Sequence, residues 1–213
     1  TKIMETIGFS NLSIFKLFFS EKKTNINYEG LLSKSIEMNN EKIVKYIIDE
    51  FIDSGSDKFK ISAFNQALSL KSPTIFNYLE QKFGFDFPLD VYFSFLESSR
   101  LSGVLETSHK IIDCILKKNP TANFTKQFIT YAKAGSVEMC QYIVDKNVKI
   151  DLFDILKNYK SMVGITNIIF ALIDKAPPGE REVYHEAFLL EAVKKRDKKL
   201  VDLLNQNKSI KNH

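Results

Sequence analysis

The sequence predicts an all-α protein, an α-solenoid of about seven helix-turn-helix repeats. Three observations predict it. A short helical pattern with apolar residues at i, i+3 and i+4 recurs along the chain, as Glu41–Glu50 and Val137–Lys146 and in weaker form elsewhere. One equivalent apolar residue from each copy, Phe18, Ile47, Leu79, Ile115, Ile143, Leu172 and Leu204, gives steps of 29, 32, 36, 28, 29 and 32 residues. The mean step is about 31, within the range that marks repeat architectures. Finally, a second short apolar helix precedes nearly every copy. Helices of little more than two turns are marginal alone, so neighbours must stabilise them by stacking.

The elements follow in order as one repeat domain over residues 1–213, with approximate repeats 1–27, 28–57, 58–88, 89–124, 125–152, 153–182 and 183–213. The first holds the helix Ser13–Phe19, with Lys2–Phe9 as a truncated partner. The second pairs Gly30–Met38 with Glu41–Glu50, and the third pairs Ser62–Leu70 with Thr74–Glu80. In the fourth, Leu89–Glu97 and Lys110–Leu116 are separated by extra residues, Glu97–Val104, which lengthen the step to 36. Such an insertion maps either to a binding-face loop or to a tolerated surface loop. The last three repeats pair Lys126–Ala134 with Val137–Lys146, Ile155–Met162 with Asn167–Ile173, and Tyr184–Lys194 with Lys199–Leu204. A tight turn joins each pair, at Asn39, Lys71, Gly135, Gly164 and Arg196. Gly and Asn tolerate the left-handed backbone such a turn needs. Where Lys71 or Arg196 stands, the turn either changes shape or carries strain. Ala176-Pro-Pro-Gly-Glu180 reads as a turn between repeats.

Composition sets the frame for function. With 44% hydrophobic residues, including 18 Phe and 8 Tyr, 213 residues bury a substantial core. No stretch is apolar enough to span a membrane, and the apolar run Phe15–Phe19 is too short and lacks a cleavage-site pattern. Cys114 and Cys140 lie in apolar helical runs, which points to packed thiols and a reducing compartment. The net charge of +4 balances 30 basic against 26 acidic residues, and only three of the basic ones are Arg. Nucleic-acid recognition leans on the guanidinium fork, so it is disfavoured here.

Tyr131-Ala-Lys-Ala-Gly-Ser-Val-Glu-Met-Cys-Gln-Tyr-Ile-Val-Asp-Lys-Asn147 and Ser35-Ile-Glu-Met-Asn-Asn-Glu-Lys-Ile-Val-Lys-Tyr-Ile-Ile-Asp-Glu50 resemble the second half of an ankyrin repeat. Glu21–Asn27 and Asp145–Asp151 resemble that family's connection between repeats. The Thr-Pro-Leu-His tetrapeptide that caps the first helix and braces the hairpin fingers is absent from every copy, so short or irregular fingers are expected. The resemblance implies a scaffold that binds a partner protein through its concave face, with no cofactor, no metal and no small-molecule substrate. Carried over position by position, it assigns that face to Glu37, Met38, Ser69, Leu70, Lys133, Ala134, Met162, Val163, Lys194 and Lys195. Leu70, Met162 and Val163 are apolar where the architecture exposes side chains, so they are either anchors or marks of a shifted register.

Chemistry-bearing patterns are sparse. His109, His185 and His213 form no metal-ligand spacing, and His109 and Cys114 lie about 140° apart around a helix, off a shared face. No phosphate-binding loop or nucleophile elbow is present. The stretch Lys194–Lys199 reads either as a solvated turn, the favoured reading, or as a contact for an acidic partner. Phe83–Phe93 reads as core filling over an exposed aromatic anchor. Two other function classes remain open: a targeting or substrate-recruiting module of a larger host-interaction protein, and an enzyme with an unlinked site around Cys140 or Glu180-Arg-Glu182. Degenerate, Lys/Asn-rich ankyrin-like arrays are similar to interaction modules of bacterial effectors, amoebal proteins and large DNA viruses. That likeness implies a cytoplasmic location, in the host cytosol for an effector.

Overall fold

The computed structural model describes residues 12–21, 27–51, 56–69, 72–99 and 105–210, and among them no strand forms. Thirteen α-helices are described: α1 (Leu12–Glu21), α2 (Tyr28–Glu37), α3 (Glu41–Phe51), α4 (Asp57–Ser69), α5 (Pro73–Phe83), α6 (Leu89–Ser99), α7 (Leu105–Lys118), α8 (Thr125–Lys133), α9 (Val137–Asp145), α10 (Leu152–Asn158), α11 (Thr166–Lys175), α12 (Pro178–Lys195) and α13 (Lys198–Ile210). One 3-10 turn, Tyr159–Ser161, extends α10. The chain divides within α7 into two compact units, Thr1–Ile111 and Ile112–His213.

In each unit sequential helices pack as pairs, and alternate helices pack as rows. In the first unit α2 packs on α3, and α4 on α5. Between pairs, α2 lies on α4 and α4 on α6, while α1 lies on α3 and α3 on α5. The second unit repeats the scheme: α8 pairs with α9 and α12 with α13, α8 and α12 both pack on α10, and α9 and α13 both pack on α11.

The turn chemistry was legible. Asn39, Gly135, Gly164 and Arg196 all adopt positive φ, from 50 to 73°. At three of them the N–H of the following residue donates five residues back: Asn40 to Ser35 at 2.9 Å, Ser136 to Tyr131 at 2.9 Å and Asp197 to Ala192 at 2.9 Å. Ser72 donates to Ala67 in the same register at 3.0 Å. These are the paired bonds that satisfy the last carbonyls of a helix before a left-handed cap. Lys71 lies outside the described residues, as do Lys2–Phe9, Leu70 and residues 100–104 of the expected insertion. Arg196 carries the predicted strain, with φ 60° and ψ 33° at a non-glycine residue. Arg196→Gly is therefore expected to raise stability by up to about 1 kcal/mol, read as a higher denaturant midpoint with unchanged slope.

Several boundaries depart from the sequence reading, α7 starting at Leu105 and α10 at Leu152 among them, and three departures change what is buried or how a helix begins or ends. α4 begins at Asp57, not Ser62, and buries Phe59 with the added turn. α12 begins at Pro178, so Pro-Gly-Glu is its first turn; proline suits the first helical position, where an N–H has no partner anyway. The segment expected as one helix, Ile155–Met162, ends in the 3-10 turn, and Met162 leaves it extended with φ −89° and ψ 149°. Among the described residues one isolated parallel bridge forms, joining Asn123 and Lys149, with Phe124 N–H donating to Lys149 C=O at 3.0 Å.

Phe83–Phe93 supplies core. Phe64, fully buried, meets Phe76 at 5.1 Å, Phe87 at 5.3 Å, Phe85 at 5.4 Å and Phe95 at 5.8 Å between ring centroids. The Tyr92 hydroxyl donates to Phe85 C=O at 2.6 Å and accepts from Phe87 N–H at 3.2 Å, pinning the loop from α5 to α6 over this cluster. The second-helix rows are laced by lysine. In the first unit Lys82 pairs with Asp49 and Lys110 with Glu80; in the second, Lys146 pairs with Asp113 at 2.6 Å and the Tyr142 hydroxyl donates to the same carboxylate at 2.9 Å. Exposed pairs of this kind set spacing more than they add stability.

Candidate functional site

The side of α4 away from its core residues Phe59, Ala63, Phe64 and Ala67 carries Lys58, Ser62, Asn65 and Ser69 at helical spacing. Packed against α2, this side forms two adjoining grooves. One, of about 360 Å³, is lined by Asn27, Glu29, Ser33, Lys58, Ser62 and Gln66 among others. The next, of about 500 Å³, adds Glu37, Ile61, Asn65 and Ser69. Gln66 crosses between the helices: its amide nitrogen donates to Ser33 Oγ at 2.8 Å, and its amide oxygen is buried without a partner. Most buried polar atoms are paired, so this oxygen is an unsatisfied position in the wall between the two helices. Glu37 is held by Lys34 at 2.8 Å, and Met38 beside it is 46% exposed.

Of the residues assigned to the binding face, Glu37 and Ser69 thus line one groove. In the second unit Lys133 donates to Asn158 Oδ1 at 2.7 Å, Val163 N–H donates to Ala132 C=O at 3.0 Å, and Ala134 and Val163 are exposed. These bonds join the end of α8 to the turn after α10. Met162 is corrected: it is 1% exposed and packs in the core, because the 3-10 turn rotates it inward and presents Val163 instead. Lys195 is half-buried. Its ammonium donates to Tyr159 C=O at 3.1 Å and to Met162 C=O, and lies 4.3 Å from the Tyr159 ring centroid, so it closes the turn after α10. Lys194 stays exposed, paired with Glu191 at 2.6 Å. Sequence reasoning missed Ser33, Lys58, Ser62, Asn65 and Gln66. The polar spacing on α4 is visible in the sequence, whereas the Gln66 to Ser33 bond, one repeat apart, is not.

A polar cluster anchors the last helix pair. Asp197 accepts from the Tyr159 hydroxyl at 2.6 Å, the Thr166 hydroxyl at 2.8 Å and Leu200 N–H at 3.1 Å. Burial raises its carboxyl, but the Tyr159, Leu200 and Thr166 donors and the Lys195 ammonium outweigh burial and hold it below the ordinary range. Burial lowers the Lys195 ammonium, with Asp197 opposing. A carboxylate lowered in the folded state stabilises at pH above its unfolded value and loses that contribution as pH falls through the folded value. Asp197→Asn is therefore expected to melt below the unaltered protein at pH 7, with the difference in Tm shrinking as pH falls through about 4 toward 2. A difference that stays constant over this range would remove the carboxylate from the account.

The residues weighed for catalysis have structural partners. Cys140 is fully buried, its Sγ 3.8 Å from Phe128 C=O, and burial pushes its thiol up to about 12; Cys114 is half-buried. Arg181 bonds Ala176 C=O at 3.2 Å and pairs with Asp174 at 3.7 Å, fastening the start of α12 to α11. The His185 Nε2–H donates to Leu204 C=O at 2.7 Å inside the core. His213 lies outside the described residues. Comparison of the chain with family models, with curated proteins and with solved structures gives no match.

Proposed function

We propose that this chain is a protein-binding scaffold of ankyrin-like repeats and that the α2/α4 grooves take an extended segment of a partner polypeptide. The observation that carries the reading is the polar lining of the two adjoining grooves, Ser33 and Ser62 in one and Ser62, Asn65 and Ser69 in the other. Hydroxyls and carboxamides donate and accept alike, which suits the alternating N–H and C=O of a peptide backbone. Met38 adds an adaptable apolar contact at the rim. Glu37, Lys133, Ala134, Val163 and Lys194 extend the reading to the exposed ends of the first-row helices in each unit.

The experiment is capture of partners from a eukaryotic lysate with the unaltered chain and with Ser62→Arg combined with Asn65→Arg, which fills the grooves from exposed and half-buried positions. Loss of specific partners at unchanged circular dichroism is expected. Undiminished capture by the variant refutes the groove assignment. A second variant, Glu37→Ala with Met38→Ala and Lys133→Ala, tests the helix ends in the same way.

A further inference from the structure

We propose that an extended segment of a partner protein adds as a strand beside Val148–Ile150, in the groove between the α9–α10 and α11–α12 connections. One side of this stretch is already paired: Lys149 C=O accepts from Phe124 N–H at 3.0 Å, and Asp151 N–H donates to Thr125 Oγ1 at 2.7 Å. Alternate residues of an extended chain turn their backbone groups to opposite sides, so Val148 and Ile150 turn theirs away from the Asn123–Thr125 stretch. Neither forms a backbone hydrogen bond among the described residues. An unpaired edge of this kind is a template for a further strand. The array itself does not supply one. The whole stretch Lys146–Asp151 joins α9 to α10, whereas Ala176 and Pro177 alone join α11 to α12. Ala176 N–H donates to Ile173 C=O at 3.2 Å and its C=O accepts from Arg181 at 3.2 Å, while Pro177 and Pro178 have no N–H to give.

The groove left between the two connections, of about 450 Å³, fixes the chemistry of the occupant. Val144, Leu152 and Leu172 line it from the core, and the Phe153 ring, 51% exposed, lines it beside Tyr184 at 5.0 Å between centroids. Lys149 and Lys175 are balanced by Asp151 and Glu180, so no net field selects a charged ligand. Backbone N–H and C=O groups along one wall, with apolar side chains around them, suit a polypeptide strand carrying apolar residues at alternate positions. A second folded copy does not fit. Strand pairing needs a separation of about 4.8 Å. Val148 and Ile150 are half-buried in a groove whose far wall holds Ala176 and Pro177, and the same wall on another copy would stand between the two edges. An extended segment carries no such wall. The site lies in the second unit, and nothing in it depends on the α2/α4 grooves.

The probe is a displayed library of random linear peptides, selected on the chain carrying Ser62→Arg and Asn65→Arg so that the first-unit grooves take no part. Selected clones are expected to carry Val, Ile, Phe or Tyr at alternate positions. The peptide of the strongest clone is expected to slow amide exchange at Val148 and Ile150. It is expected to bind Ile150→Pro at least about tenfold more weakly, and Ile150→Val with nearly unchanged affinity, because only proline removes the N–H. Phe153→Ala, an exposed change, is expected to weaken binding as well, and it carries the test if Ile150→Pro alters the circular dichroism. A selection that yields no binder, a binder indifferent to both Ile150→Pro and Phe153→Ala, or one that leaves exchange at Val148 and Ile150 unchanged would each overturn the proposal. Self-association of the chain that protects these two amides would overturn it too, by giving the edge to a second copy.

Discussion

Phe64→Ala is expected to destabilise the unit holding residues 12–111 by about 3–5 kcal/mol. Phe64 is fully buried on α4 and touches rings from three further segments: Phe76 of α5, Phe85 and Phe87 of the loop from α5 to α6, and Phe95 of α6. Truncation removes the hub and leaves a cavity whose walls are rings, which rotate but do not collapse inward. The loop is held to the cluster by Tyr92 through two backbone bonds, so it cannot move in to fill the space without breaking them. Phe64→Leu keeps most of the volume and is expected to cost less than about 1.5 kcal/mol. Urea denaturation followed by circular dichroism measures both. A loss below about 1 kcal/mol for Phe64→Ala would show that the ring cluster is not what holds α4, α5 and α6 together.

What the sequence revealed was local, and what it concealed was the packing between repeats. Left-handed turns were readable at Asn39, Gly135 and Gly164 because glycine and asparagine are the residues that adopt that backbone cheaply. At Arg196 the residue type argued against the turn, and only its place in the repeat identified it; the structure puts it there at φ 60°. The aromatic run Phe83–Phe93 reads as core filling over an exposed anchor, and its Phe85 does pack on Phe64 and Phe76. Met162 was misplaced by a change of helix type. A repeat template assumes that every first helix stays α to its end, and the 3-10 turn at Tyr159–Ser161 tightens the backbone there. That turn swings Met162 into the core and brings the Tyr159 and Met162 carbonyls within reach of Lys195. The candidate groove was half legible. Ser62, Asn65, Gln66 and Ser69 share a helix side by spacing, but the bond that holds the Gln66 amide is made to Ser33, which only the packing of α2 on α4 brings near.

Damage to the two second-row helices α9 and α13 is expected to be graded, because α9 is held from both sides of its row and α13, among the described residues, from one. Ile143 and Leu204 occupy the same repeat position and are both fully buried. Ile143 sits in α9, which packs on α8 and α11, and the Tyr142 and Lys146 side chains beside it reach back to Asp113 of α7. Leu204 sits in α13, which packs on α11 and α12, and no helix follows it among the described residues. Ile143→Ala is therefore expected to cost about 2–5 kcal/mol, a large share of the roughly 5–15 kcal/mol that holds a domain folded. Leu204→Ala is expected to fall at or below the lower end of that range, since opening α13 uncovers contacts on one side of the row only. Amide hydrogen exchange separates the cases: Ile143→Ala lowers protection in α8, α9 and α11 together, whereas Leu204→Ala lowers it in α13 and the end of α12 first. Equal loss across the second unit in both variants would show one cooperative core, and would count against the repeat reading from which the proposed function descends.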